Sequence, residues 1–347
     1  MPDSSPLSSR KGDHIRINLD RDVQSGITSG LDAYQFISRA LPEIDLEDVN
    51  TGLTVLKKTL KAPILISSMT GGNSEAEKVN RNLATAAQHC GVAMGVGSMR
   101  AALEEPDLVS TFLVRKEVPD ILLFANLGAV QLNYGYTVEH CRRVVEILGA
   151  DALFLHLNAL QEAVQPGGNT RFSGLLKKIE EVCRNLEVPV FIKEVGWGIS
   201  AEDAARLKSA GVSGIDVAGA GGTSWSQVEM YRIGDPHQAK VAGAFRTWGI
   251  PTAESIRMVK KAVPDMMVFA SGGLRDGVDI ARCIALGAIL GGMASPFLKA
   301  AVVSAEETVR FIQDIQREIQ ICMFACGIDN LPSLRGNTSI FLPGGWE

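Results

Sequence analysis

Phe154-Leu155-His156-Leu157-Asn158-Ala159-Leu160-Gln161-Glu162 opens as a buried apolar strand and closes on four polar side chains, His156, Asn158, Gln161 and Glu162. Packing does not account for them, because a buried polar atom costs free energy unless it is paired. In a barrel of parallel strands, the carboxyl ends are where sites are built. Glu162 and Gln161 offer oxygen ligands to a hard divalent cation, and His156 and Asn158 offer hydrogen bonds to an anion.

Working outward, short β-rich apolar runs recur at 63–67, 92–96, 121–126, 152–157, 189–194, 214–218, 267–271 and 288–292. Amphipathic helical patterns fall between them, at 75–89, 138–148, 175–186, 201–209 and 278–286, with a long last one at 305–326. Strands that are apolar throughout and alternate with helices predict a parallel sheet covered on both faces. Eight such units favour an α/β fold closed as a (β/α)8 TIM barrel over an open doubly wound sheet. The division expected is an N-terminal extension at 1–60 that closes over the barrel mouth, and the barrel itself at 61–347. The first sixty residues read as polar and basic, without a core pattern. The gap at 219–265 exceeds the regular rhythm and carries Trp225, Tyr231, Phe245 and Trp248, which suits an ordered lid or an oligomer contact.

Composition bounds the rest. The 347 residues are 46% hydrophobic and 21% charged, with a net charge of −5, which argues against general nucleic-acid binding. Any anion must therefore be held by a local cluster. The start lacks the apolar stretch of a signal peptide. The apolar run at 283–303 is interrupted by Pro296 and Lys299 and weakened by three glycines, so no membrane span is expected. Six cysteines without metal spacing read as buried free thiols in a cytoplasmic protein.

Glycine-rich stretches follow the sixth, seventh and eighth runs: Gly219–Thr223, Gly272-Gly273-Leu274-Arg275, and Gly291-Gly292-Met293-Ala294-Ser295. Glycine lets a backbone approach a phosphate, and the loops after strands seven and eight are a common barrel phosphate site. Such a site commonly anchors FMN. Lys193 could then place a cation beside the ring's N1/O2 edge, although a structural ion pair with Glu194 or Asp216 is the alternative. Ser68-Met69-Thr70, Ser98 and Asn126 stand at neighbouring strand ends, as caps or as partners of the ring's polar edge. Arg10, Lys11 and His14 precede the barrel. They are either a solvated basic patch or a clamp on a diphosphate, with Arg100 opposite.

These residues resemble the type 2 isopentenyl-diphosphate isomerases over nearly the whole length. The resemblance rests on Arg10-Lys11-x-x-His14, Ser68-Met-Thr-Gly-Gly72, Gly95-Val-Gly-Ser98-x-Arg100, His156-Leu-Asn158-x-x-Gln161-Glu162 and Lys193-Glu-Val-Gly196. It continues through Asp216-Val-Ala-Gly-Ala-Gly-Gly-Thr223, Trp248-Gly-Ile-Pro-Thr252 and Ser271-Gly-Gly-Leu-Arg275. It implies an allylic proton shift between isopentenyl and dimethylallyl diphosphate on reduced FMN, with Mg2+, and with NADPH only as flavin reductant. Carried over, Ser68, Met69, Thr70, Ser98, Asn126, Lys193, Thr223, Gly273, Leu274, Arg275, Ala294 and Ser295 would hold FMN. Arg10, Lys11, His14, Arg100, His156, Asn158 and Gln161 would face the substrate, and Glu162 would bind the metal. Gln161 is the expected catalytic side chain, orienting or relaying a proton rather than acting as the main acid. A homo-oligomer, tetramer or octamer, is expected.

Three positions depart from the family pattern: Met99 where a polar residue is usual, Gly168-Asn169 in place of an acidic pair, and Arg246-Thr247 before Trp248. Other flavin barrels fit less well. Oxidation of a 2-hydroxy acid needs a base, usually His, after the sixth strand, and an IMP-dehydrogenase-like reaction needs a Cys there. The stretch Val217–Trp225 has neither. A non-catalytic flavin scaffold would not need a metal-ready carboxylate beside a second anion site.

Overall fold

The computed structural model describes residues 6–69 and 71–343, with side chains from Gly12 onward. In chain order its strands are β1 (Leu53–Val55), β2 (Lys58–Leu60), β3 (Ile64–Ile66), β4 (Ala93–Gly95), β5 (Leu123–Gly128), β6 (Ala152–His156), β7 (Val190–Lys193), β8 (Gly214–Asp216), β9 (Met267–Ser271) and β10 (Leu290–Met293). Strands β3 to β10 pair in parallel, each with the next, and β10 returns to β3 to close the barrel. All eight expected runs are barrel strands, and the fold is the (β/α)8 class.

Alternation along each strand sorts the side chains into two apolar bodies. Ile64, Ile66, Leu123, Ala125, Leu153, Leu155, Val190, Ile192, Val268 and Ala270 point outward into the layer shared with the helices. Leu65, Ala93, Phe124, Phe154, Phe191, Phe269 and Leu290 point inward and form a separate cluster. Phe124 stacks on Phe154 at 4.3 Å and Phe191 on Phe269 at 5.0 Å, and the two stacked pairs meet edge to face. β8 contributes Gly214 here because the Phe191 ring fills the space; a Cβ would lie 2.2 Å from its Cε1.

Two residues further along the same faces stand Ser67, Gly95, Asn126, His156, Lys193, Asp216, Ser271 and Gly292. The barrel interior is therefore apolar in one layer and polar or open in the next. Helices begin just past the strand ends on side-chain caps that satisfy free N–H groups. Asn73 accepts from Ala76 N–H, Ser200 from Asp203 N–H, and Asp276 from Asp279 N–H.

The first sixty residues hold more core than their sequence suggests. β1 and β2 form an antiparallel hairpin whose Val55 and Leu60 join the inward-facing cluster and plug the amino end of the barrel. Leu31, Tyr34 and Val49 are also buried. At the opposite end, the helix Pro6–Asp20 lies against the helix Trp225–Arg232. Between them runs a strap along the rim: Ser224 N–H donates to Val23 O, Ser25 N–H to Gly222 O, and Ala253 N–H to Ser29 O.

The stretch at 219–265 is three helices, Trp225–Arg232, Pro236–Gly243 and Thr252–Ala262. The last of these packs on Ala201–Ser209 and β9, as a barrel helix does. The apolar run at 283–303 is a helix end, β10 and the short helix Ser295–Val303, and no helix among the described residues is long and apolar enough to cross a membrane. The six cysteines are free thiols, four of them buried.

Candidate active site

The polar upper layer and the loops above it enclose a cavity of about 490 Å3 at the carboxyl ends of the strands, within the range of small-molecule sites. Every expected site residue that is described lines it, from His14 and Ser68 through His156 and Lys193 to Ala294 and Ser295. The side chains of Arg10 and Lys11, and the whole of Thr70, lie outside the described residues. Ser98 sits three residues past the end of β4, and Asn126 lies within β5 rather than at its end.

A chain of amide and carboxylate groups crosses the mouth. His14 Nε2 lies 3.2 Å from Glu229 Oε1, and Gln161 Nε2 donates to the same oxygen at 3.2 Å. Asn158 Nδ2 donates to Gln161 Oε1 at 3.2 Å and to Glu162 Oε1 at 3.0 Å. Gln165 Nε2 and, at 2.6 Å, the Asn169 N–H hold Glu162 Oε2. Both ends of the Gln161 amide are thus engaged, so its orientation is set. Glu229 is fully buried. Burial opposes its ionisation, but His14, Arg232 and Gln161 outweigh that and hold its carboxyl down at about 2.

Sequence reasoning missed Glu229. It lies inside the long gap, on a helix with no clear apolar stripe, where no spacing marks it. The nearest signal is Arg232 three residues on, which donates to Glu229 Oε2 at 2.7 Å. Trp225, at the start of the same helix, meets the His14 ring edge to face at 5.1 Å.

Lys193 makes the ion pair that was the alternative reading, with Nζ 3.0 Å from Asp216 Oδ2, and it also lines the cavity. Ser271 Oγ completes the triad, donating to Asp216 Oδ1 at 2.7 Å. The next residue, Glu194, takes the N–H groups of Val195, Gly196 and Trp197 on one oxygen and so shapes the loop beside the cavity. Burial pushes its carboxyl up to about 7 against those three donors and Lys193. Arg100 Nε donates to Glu104 Oε1 at 2.7 Å, and Tyr136 OH reaches the same oxygen at 2.8 Å. Burial and Glu104 push the Tyr136 phenol up to about 12, so it remains a donor.

The glycine-rich loops have a structural reason beyond phosphate access. A Cβ on Gly222 would lie 2.6 Å from Gly273 N, so the loops after β8 and β9 pack backbone to backbone. Arg275 is also committed: its N–H and Nε donate to Asp279 and its Nη2 to Asp32. Two departures from the family pattern are explained as well. Met99 is fully buried in the core, where an apolar side chain fits. Gly168 lets its loop touch the helix that carries Glu162; a Cβ there would lie 1.9 Å from the Glu162 carbonyl oxygen. Arg246 pairs with Asp22 of the strap at 2.6 Å.

A flavin fits these residues. Ser67 Oγ and Ser68 Oγ are buried without a hydrogen-bond partner beside the cavity, and native proteins rarely leave such groups unpaired. A magnesium ion fits in a restricted sense. Among the described residues no cluster of three or more His, Cys, Asp or Glu forms a protein-only cage. The hard oxygens on offer are the Glu162 carboxylate, which already accepts from Asn158, Gln165 and Asn169, and the unpartnered buried Asn158 Oδ1, the donor type Mg2+ uses together with ligand phosphates.

Comparison with known proteins gives the class first. Residues 155–340 match the FMN-dependent dehydrogenase family. Solved structures of mandelate oxidase share the fold: one with (S)-2-phenylpropionate superposes at a TM-score of 0.66 and 18% identity, over 95% of this chain and 96% of that one. A mandelate oxidase variant carrying a monooxide FMN adduct gives 0.66 at 19% identity, over 90% and 92%. At that identity the likeness extends to the barrel alone.

Relatives at much higher identity give the family. Proteins named isopentenyl-diphosphate delta-isomerase are 53% identical in Synechocystis sp., over 96% of this chain and 95% of theirs. Those of Nostoc sp. are 50% identical over 97% of both, and those of Rickettsia bellii 51% over 94% and 95%. The chain belongs to the isopentenyl-diphosphate delta-isomerase family, in its FMN-dependent type 2 form.

Proposed function

We propose that this chain interconverts isopentenyl and dimethylallyl diphosphate, in isoprenoid biosynthesis, by an allylic proton shift without net redox change. The observation that carries the reading is Gln161, held at both ends of its amide between Glu229 and Asn158 on the cavity wall. An oxidase-type barrel would need a base after β8, and Val217–Trp225 contains no His.

Ser68, Met69, Thr70, Ser98, Asn126, Lys193, Thr223, Gly273–Arg275 and Ala294–Ser295 would hold FMN. The chemistry that reduced FMN supplies when bound is an electron-rich ring and a protonatable nitrogen beside the alkene. The chain's own residues do the rest. Arg10, Lys11, His14, Arg100, His156 and Asn158 would bind and orient the diphosphate, and Glu162 would hold Mg2+, which supplies positive charge for it. Glu229 stays ionised across neutral pH and fixes the Gln161 amide, which orients the reacting group or relays a proton. Lys193, paired with Asp216 and also donating to Ser271 Oγ, would offer its remaining N–H to the polar edge of the flavin. The apolar layer of Phe124, Phe154, Phe191 and Phe269 closes the floor against water.

NADPH would serve only to reduce the flavin, and a homo-oligomer, tetramer or octamer, belongs to the same reading. Trp248, at 61% exposure, and Val241, at 60%, are among the exposed apolar side chains that such contacts could use. The test is an anaerobic assay with isopentenyl diphosphate, Mg2+, FMN and NADPH, each omitted in turn. Dimethylallyl diphosphate that needs FMN and a reductant is the expected product. Flavin binding without product would leave the barrel and remove the chemistry.

A further inference from the structure

β5 ends at Gly128 and runs directly into the short helix Ala129–Tyr134. Ala129, Val130 and Leu132 bury apolar side chains there, and the Gln131 carbonyl accepts from the Tyr136 N–H at 3.1 Å. Gln131 itself is buried, at 5% exposure, and lines the cavity. A Cβ on Gly128 would lie 3.2 Å from His156 Nε2 and 3.5 Å from Gln131 Cγ, so the two side chains meet over that glycine. The other buried amides around this wall already donate to the protein: Asn126 to Val96, Asn158 to Gln161 and Glu162, Gln161 to Glu229, and Gln165 to Glu162. The Gln131 amide makes no hydrogen bond among the described residues. Packing does not account for it, because a buried amide costs free energy unless it is paired.

We propose that Gln131 is a further binding residue, which donates its Nε2 hydrogens to the diphosphate oxygens of the ligand; that this ligand is isopentenyl diphosphate rests on the isomerase reading. Gln131 stands just past the end of β5, beside the β6 end that carries His156 and leads to Asn158 and Glu162. The flavin contact expected from β5 is Asn126, further back within the strand. An amide supplies two N–H donors without adding charge. A carboxylate at this position would repel the diphosphate, and an apolar side chain would leave its oxygens without that partner. Hydrogen bonds to an anion are the stronger kind, so the ligand complex gains what the ligand-free protein forgoes.

The test is calorimetric binding of inorganic pyrophosphate, with Mg2+, to flavin-loaded protein, comparing wild type with Gln131→Met and Gln131→Glu. In Gln131→Met, which keeps the length and removes the amide, Kd should rise about tenfold, the scale of one lost hydrogen bond to a charged group. The unfolding midpoint of the ligand-free protein should not fall, since the amide has no partner to lose, and FMN affinity should stay unchanged. Gln131→Glu keeps the shape and adds a negative charge, so it should weaken pyrophosphate binding further. Equal pyrophosphate affinity in all three proteins would overturn the proposal. So would a lowered midpoint in Gln131→Met, which would mark a packing role, or tighter binding in Gln131→Glu, which would mark action through the metal. Binding is read without turnover, which separates the two readings. Dependence on Gln131 in a protein that makes no dimethylallyl diphosphate would sink the isomerase reading and leave this one standing, and an active isomerase indifferent to both variants would do the reverse.

Discussion

The barrel interior has two storeys built by the same strands. Phe124, Phe154, Phe191 and Phe269 fill the lower one with stacked rings under the plug of Val55 and Leu60. Two residues later, on the same faces, Asn126, His156, Lys193 and Ser271 line a cavity. About 6.6 Å of strand separates them. The lower storey removes apolar surface from water, and the upper one holds buried polar and charged groups that cost free energy unless they pair with each other or with a ligand. Stability and function therefore lie on alternate steps of one strand, so a change at one step should leave the other largely intact.

Phe191→Ala is expected to have the largest effect and to fall on stability, costing about 3–5 kcal/mol. Its ring contacts those of Phe124, Phe154 and Phe269, and denaturant unfolding would measure the loss. Turnover per folded molecule should stay near native. If flavin binding collapses while stability holds, the two storeys are not separate.

Gln161→Asn should do the reverse. Shortening the side chain breaks its contacts with Asn158 and Glu229, and turnover should fall at least tenfold, about 1.4 kcal/mol of transition-state stabilisation, with flavin still bound and the unfolding midpoint little changed. Unchanged turnover would remove Gln161 from the mechanism.

The pH effects fall on stability alone, and two buried glutamates of the upper storey should act with opposite signs. Glu229, held at about 2, is ionised in the folded state while the unfolded chain still binds a proton. Its contribution is present above about 4.5 and is lost as pH falls toward about 2. Glu194, raised to about 7, keeps its proton when folded after the unfolded chain has released it. Its contribution is full at low pH and declines as pH rises from about 4.5 to about 7. Stability curves for Glu229→Gln and Glu194→Gln should lose the acid slope and the near-neutral slope respectively. Parallel curves for wild type and both variants would contradict these assignments.

Most of the fold could be read from the sequence because barrel strands, buried on both faces, are continuous apolar runs. The helix at 138–148 matches Val138–Leu148 in its bounds, and that at 201–209 matches Ala201–Ser209. The hairpin was hidden because each of its strands has three residues, and only Val55 and Leu60 turn fully inward. Helix Thr252–Ala262 was hidden by the length of the gap that contains it. For the candidate site, residues close to strand ends were legible, since a polar side chain after an apolar run has few structural reasons to be there. Glu229 was not, because its role depends on a helix that only tertiary packing brings over the mouth. The glycines of the late loops were seen, but their packing against each other has no signature in one dimension.

The most direct measurement is solvent-proton incorporation by fully reduced, FMN-loaded protein in D2O, with isopentenyl diphosphate and Mg2+ and no further reductant. The account predicts many turnovers per flavin, with a solvent deuteron in a methyl group of the dimethylallyl product. Product that stops after one equivalent per flavin, or that carries no solvent deuterium, would contradict it.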